Sequence, residues 1–117
     1  MKTKQSGQLA EEYIAQQLVS EGYQIRARNY HKHFGEIDII AQKDQTLAFV
    51  EVKFRTSPLF DMGTIITKSK QRKIIATAKY FLAAHSLDRY TVQFDVAFVV
   101  KKGNTFSTEY IANAFQE

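Results

Sequence analysis

The sequence predicts an α/β domain in which helices flank a mixed β-sheet, in the order α-β-β-β-α-β. Three observations lead there. Apolar residues recur at helical spacing in segments 7–20 and 68–85. The segments around and between them alternate with period two, or stay apolar for a few residues, as half-buried and buried strands do. The length of 117 residues fits one compact domain, 1–117, around a single core.

In the first helix, Leu9, Ala10, Tyr13, Ile14 and Leu18 fill one apolar sector of the helical wheel, and Gly22 ends it. Residues 23–30, YQIRARNY, alternate as a first strand, and HKHFG follows as a loop. Two strands, roughly 35–42 and 47–55, are joined by KDQT, which lacks the Asn-Gly turn signature. Pro58 opens a loop through Gly63. Thr67 is placed to cap the second helix, whose buried stripe is Ile74, Ile75, Ala78, Phe81 and Leu82. In 91–100, TVQFDVAFVV, the residues Val92, Phe94, Val96, Phe98 and Val100 line one strand face. KKGN turns the chain, and TFSTEYI is a candidate for a short last strand.

Composition narrows the function. The longest unbroken apolar stretch, Val96–Val100, is far too short to span a bilayer, and MKTKQSGQ carries no apolar core of a secretory signal. The chain has no cysteine, which excludes disulfides, thiolate zinc sites and cysteine catalysis and suits a reducing cytoplasm, the expected location. A net charge of +4 with a pI near 9.3 points mildly toward an anionic partner. Any metal must be held by Asp, Glu or His.

Residues 34–55, FGEIDIIAQKDQTLAFVEVKFR, set acids inside two apolar runs. Side chains alternate along a strand, so Glu36 and Asp38 share a face, as do Glu51 and Lys53. A hairpin loop at Asp44–Gln45 sets Asp38 opposite Glu51, Glu36 opposite Lys53 and Ile40 opposite Phe49. The other face then pairs Ile37 with Val52 and Ile39 with Val50 as an apolar layer. A one-residue slip would mix the two sets, so parity supports this register or one two residues away. Like charges opposite each other destabilise a strand pair, and burial adds desolvation or drives a carboxylate to protonate. A divalent cation between the carboxylates removes the conflict. Mg²⁺ commonly takes one or two carboxylates and leaves its other positions to water and phosphate. Lys53 would stand where it can orient or deprotonate a water. A solvated Glu51–Lys53 ion pair of little energetic worth is the alternative, and the residues alone leave both open.

GEIDIIA followed by FVEVKFR resembles the PD-(D/E)XK nuclease signature, an Asp and an Asp/Glu-X-Lys on adjacent strands. More closely, the chain resembles the bacterial YraN-type family, nuclease-like relatives of archaeal Holliday junction resolvases. That likeness covers most of the chain, through GYQIRARNYHKHFGEIDIIA, TKSKQRKII and FDVAFVV. It implies a restriction-endonuclease-like αβββαβ core. It also implies Asp38 and Glu51 as ligands of Mg²⁺ or Mn²⁺ and Lys53 as the catalytic lysine. The proline of the signature is absent, since Ile37 precedes Asp38. Resolvase relatives add a Glu from the first helix. Counting back from Gly22 selects Glu11, and the wheel agrees, with Glu11 about 20° from Leu18 and Glu12 on the polar side near Gln16. Glu36 is assigned a supporting role, as an outer acid or as the ion-pair partner of Lys53. Gln71 stands where related nucleases carry a polar residue near the site. DNA rather than RNA is implied, with branched DNA one candidate substrate. Resolvase relatives work as dimers, and a homodimer is compatible with the likeness, although the sequence identifies no dimer surface.

Lys68, Lys70, Arg72 and Lys73 crowd the first turns of the second helix, against the helix dipole. A helix N-terminus with added lysines suits phosphate, and a solvated basic face is the plainer reading. Arg55, with Arg26, Arg28 and Lys32, is placed to extend that surface. His31 and His33 lack partners at metal-ligand spacing and read as a polar loop. Tyr13, Tyr23, Phe34 and Phe49 read as core or rim, and Asp95 as a structural hydrogen-bonding acid. The expected function is metal-dependent hydrolysis of phosphodiester bonds in bound nucleic acid. The alternatives are a non-catalytic nucleic-acid-binding module, or an interaction protein whose basic helix meets an acidic partner.

Overall fold

The computed structural model describes residues 2–55, 66–87 and 89–117, with only the backbone described for residues 2–6. Helix α1 (Lys2–Ser20) leads into strands β1 (Gln24–Lys32), β2 (Gly35–Lys43) and β3 (Thr46–Arg55). Helix α2 (Lys68–Ala84), β4 (Thr91–Lys102) and β5 (Thr105–Phe115) complete the chain. The five strands lie in the sheet in sequence order, with β3 and β4 parallel and the other pairs antiparallel. The expected α/β class and αβββαβ order hold, and the last strand extends the sheet. The loop expected from Pro58 to Gly63 lies outside the described residues. No helix among the described residues is long and apolar enough to cross a membrane.

Each helix covers one sheet face, as the alternation of the strands requires. On α1, Ala10, Ile14, Ala15 and Leu18 pack onto Ile39, Ala41, Ala48, Val50, Ala97 and Val99. On α2, Ile74, Ala78 and Phe81 pack onto Ile37, Ile40, Leu47, Phe49 and Phe94. The Phe81 ring meets Tyr30 and Phe49 edge-on, at 5.2 and 6.1 Å between centroids. Truncating so central a ring typically costs about 3–5 kcal/mol. Leu9, expected in the α1 core, is instead 57% exposed, because the buried stripe runs through Ala10, Ile14 and Leu18 and leaves the sector's edge in water.

The helix ends follow their local chemistry. At the end of α1, Tyr23 N donates to the Leu18 carbonyl and Gly22 N to the Val19 carbonyl, a paired closure that needs the left-handed φ of +99° at Gly22. At α2, the Thr67 hydroxyl accepts from Lys70 N at 3.1 Å, the cap that its position predicts. The loop expected at HKHFG is shorter, since β1 runs through Lys32 and pairs with Gly35. Gly35 permits a close approach of strand to helix. A Cβ there would stand 2.5 Å from Thr77 Oγ1 and 2.8 Å from the Lys73 carbonyl oxygen, so β2 starts directly against the α2 backbone.

Candidate active site

The register of β2 and β3 is the one the acids required. Ile39 pairs with Val50 and Ile40 with Phe49, out to Lys43 with Thr46 around Asp44–Gln45. Regular pairing stops at Ile39–Val50, one step before Asp38 and Glu51. In place of the next ladder bond, Val52 N donates to Asp38 Oδ2 at 2.7 Å. The carboxylate therefore bridges the opening where the two strands part.

A kink accompanies this opening. Ile37 was expected beside Ile39 in one apolar layer, yet it packs under α2 while Ile39 packs under α1. Across from this step, Asn29 on β1 holds a left-handed φ of +51°, a conformation that Asn adopts more readily than most residues. The pairs Arg28–Ile39 and Tyr30–Ile37 flank it. Asn29 is the residue that strand reasoning missed. Its only trace in the sequence is a turn-forming side chain inside an otherwise regular strand, and its side chain helps to hold the Glu11 pKa down.

Glu51 is buried, with its side chain 7% exposed, and two ammonium groups meet its Oε2. Lys53 Nζ lies at 3.5 Å, as the shared face of β3 dictates, and Lys70 Nζ arrives from the first turn of α2 at 2.9 Å. Burial, reinforced by the charge of Glu51, pushes the Asp38 carboxyl up to about 7, against the pull of the Val52 N–H and Lys70. Burial pulls the Lys53 ammonium below its ordinary range, and neighbouring Lys70 adds to this while Glu51 opposes it. Burial also works against the Lys70 charge, but its bonds to Glu51 outweigh that and leave it raised. Of the two lysines, Lys53 is the one poised to give up its proton. Burial likewise raises Glu11, Arg28 opposes, and both Glu51 and Glu36 add to the rise. Glu11 is thus within electrostatic reach of the cluster, and in turn it raises Asp38. Glu12 instead pairs with Arg28 at 2.6 Å and accepts from Gln16 at 2.9 Å.

Other assigned residues fall elsewhere. Glu36 does not meet Lys53: β1 pairs it with His31, whose Nδ1 lies 3.2 Å from its Oε1 on an exposed surface. The Gln71 side chain is spent on the Ile66 carbonyl at 3.0 Å. The basic run on α2 divides around the helix. Lys70 turns inward, and Lys73 joins it with Thr67, Ser69, Gly35 and Glu36 along a groove of about 300 Å³. Lys68 and Arg72 line a different groove, with Lys79. Arg55 donates to the Phe54 carbonyl at 2.8 Å. Asp95 is fully buried and accepts from Gln93, the Tyr110 hydroxyl and Asn113 N, the structural role expected of it.

Asp38 and Glu51 offer hard oxygen donors from adjacent strands, a set suited to Mg²⁺ or Mn²⁺. Among the described residues no group of three or more His, Asp and Glu comes together as a metal cage, so such an ion would draw its remaining positions from water or substrate.

Fold and cluster together define a small two-helix α/β protein with a buried acid–lysine site at the split end of a strand pair. The chain belongs to the uncharacterised protein family UPF0102, whose sequence profile matches residues 10–99. It is 42% identical over 113 residues to a UPF0102 protein of Desulforapulum autotrophicum, covering 94% of this chain and 92% of that protein. A UPF0102 protein of Saccharophagus degradans is 41% identical over 116 residues, covering 97% and 95% of the two chains. One from Treponema pallidum is 39% identical over 118 residues, covering 95% and 92%.

Proposed function

We propose that this protein is a metal-dependent endonuclease of the PD-(D/E)XK type, related to Holliday junction resolvases, acting on DNA with branched DNA as a candidate substrate. The observation that carries the reading is the half-buried Asp38 carboxyl beside buried Glu51, with Lys53 paired to Glu51 and its ammonium destabilised. A purely structural ion pair has no need of a second acid that desolvation and its neighbour drive toward protonation.

Asp38 and Glu51 would hold Mg²⁺ or Mn²⁺, with Glu11 behind them. Bound there, the ion supplies an activated water and neutralises charge building on the phosphate. Lys53 would accept the proton of an attacking water as the neutral amine, once its weakened ammonium has released its own proton to solvent. As the ammonium it would instead donate to that water and fix its lone pair toward phosphorus. Val52 N–H holds Asp38 Oδ2, so Oδ1 is the oxygen a cation would use. The groove along Thr67, Ser69 and Lys73 leads from Lys70, where backbone amides and ammonium groups suit a phosphate chain.

One observation favours a second reading, a non-catalytic nucleic-acid-binding module: Lys70 already neutralises Glu51. The two readings separate on labelled single-stranded, duplex, flap and four-way-junction DNA at low salt, with Mg²⁺, Mn²⁺ or EDTA. The enzyme predicts cleavage that needs metal and is lost in both Asp38→Asn and Lys53→Ala. Binding in EDTA without cleavage under any condition supports the module. Neither binding nor cleavage leaves a protein-interaction role for the basic helix.

A further inference from the structure

Two lysines converge on one oxygen of Glu51, and the closer comes from another element and is the more exposed. Lys70 Nζ is at 2.9 Å with 41% of its side chain accessible, while Lys53 Nζ is at 3.5 Å with 17% accessible. A buried carboxylate with a second, half-buried one beside it requires positive charge close by. On its own, the protein draws that charge from the first turn of α2.

From this geometry we infer that Lys70 is a resident counter-ion that a divalent cation must displace. The ion enters only as the Lys70 ammonium leaves Glu51 Oε2 for the groove beside Thr67, Ser69 and Lys73. The inference rests on the metal-dependent reading above. It follows from charge and space. An ammonium and a dication cannot share one carboxylate oxygen at hydrogen-bonding distance without strong repulsion. Lys53 is held on the strand beside Glu51 and is less free to move. Lys70 sits on a helix turn beside an open groove of about 300 Å³ and has somewhere to go. Once displaced, its ammonium stands next to Lys73 at a capped helix start, where a substrate phosphate would pass. Metal arrival thus converts a lysine that neutralises the site into one that binds substrate.

Mg²⁺ and Mn²⁺ binding, measured by calorimetry without nucleic acid, tests the inference on the wild type, Lys70→Met, Lys70→Arg and Lys73→Met. Removing Lys70 is expected to tighten binding roughly tenfold, as loss of one competing charge at a partly exposed pair would do. Lys70→Arg retains the competitor and stays close to wild type. Lys73→Met removes a neighbouring charge that does not touch Glu51 and so measures the long-range effect alone. A Lys70→Met gain no larger than that of Lys73→Met overturns the inference while leaving the metal site standing. Absence of metal binding in both wild type and Lys70→Met overturns the metal reading and the inference with it. In the wild type, the NMR signal of the ordered Lys70 ammonium is expected to be lost or shifted toward that of a free lysine as Mg²⁺ saturates. An unchanged signal at saturation also overturns displacement.

Discussion

Replacing Asp38 by Asn is expected to stabilise the metal-free protein at pH 8. The folded protein holds the Asp38 carboxyl near 7, against an ordinary value of 3.8. A gap of about three pH units, at about 1.4 kcal/mol each, sets an upper limit of about 4 kcal/mol. Asp38 is only half-buried and some water reaches the site, so about 2–3 kcal/mol is the expected gain. The sign follows from the raised value. Below pH 3.8 both folded and unfolded chains carry the proton, and the wild type keeps its full stability. That stability drains away as pH rises, and the loss is complete above about 7, where an ionised, half-buried acid stands beside Glu51. Asn carries no such charge, and its carbonyl can still accept from Val52 N–H. Urea denaturation in EDTA, followed by circular dichroism at pH 5, 6, 7 and 8, measures the difference. The gap between variant and wild type should be widest at pH 8 and clearly smaller at pH 5. A constant gap, or a variant less stable than wild type at pH 8, would refute the account of Asp38.

Gly35→Ala places a methyl group 2.8 Å from the Lys73 carbonyl, which helix α2 cannot easily move, and thermal unfolding should register a loss of about 2–3 kcal/mol. Tyr110→Phe removes the hydroxyl that donates to fully buried Asp95, whose carboxylate keeps Gln93 and the Asn113 amide. A loss of about 1–3 kcal/mol in chemical denaturation is expected. Thr67→Ala strips the cap from α2 and should cost about 1 kcal/mol, with faster amide exchange at Lys70. An unchanged Lys70 exchange rate would show that the cap carries none of this.

The pairing of β2 with β3 was legible because one face of the pair is apolar and a slip by one residue would bury the charges wholesale. The kink at Asp38 was not: the left-handed Asn29 opposite it lies on β1, outside the hairpin that the parity argument covered. The same non-locality hid the partners of two charged residues. Glu36 answers to His31 because of the β1 register, and Lys70 reaches Glu51 only because α2 packs against β2 and brings its first turn to that side chain. Glu11 was favoured over Glu12 by its spacing from Gly22 and its wheel position, both local properties, and it is Glu11 that comes within electrostatic reach of Asp38 while Glu12 pairs with Arg28. Leu9 misled for the opposite reason, because an apolar sector shows which side faces the sheet but not how far coverage extends. The full length of β5 was muted by its mostly exposed pattern, in which few apolar residues mark the period.

The bond from Val52 to Asp38 gives the site a built-in spectroscopic probe. A backbone amide that ordinarily reports only strand pairing here hangs on the very oxygen whose charge the chemistry changes. Its nitrogen and proton frequencies should follow protonation of the acid, and its solvent exchange should slow when a cation pins the carboxylate. A single cross-peak in a two-dimensional spectrum would then read the state of the centre directly, with no label, substrate or turnover needed.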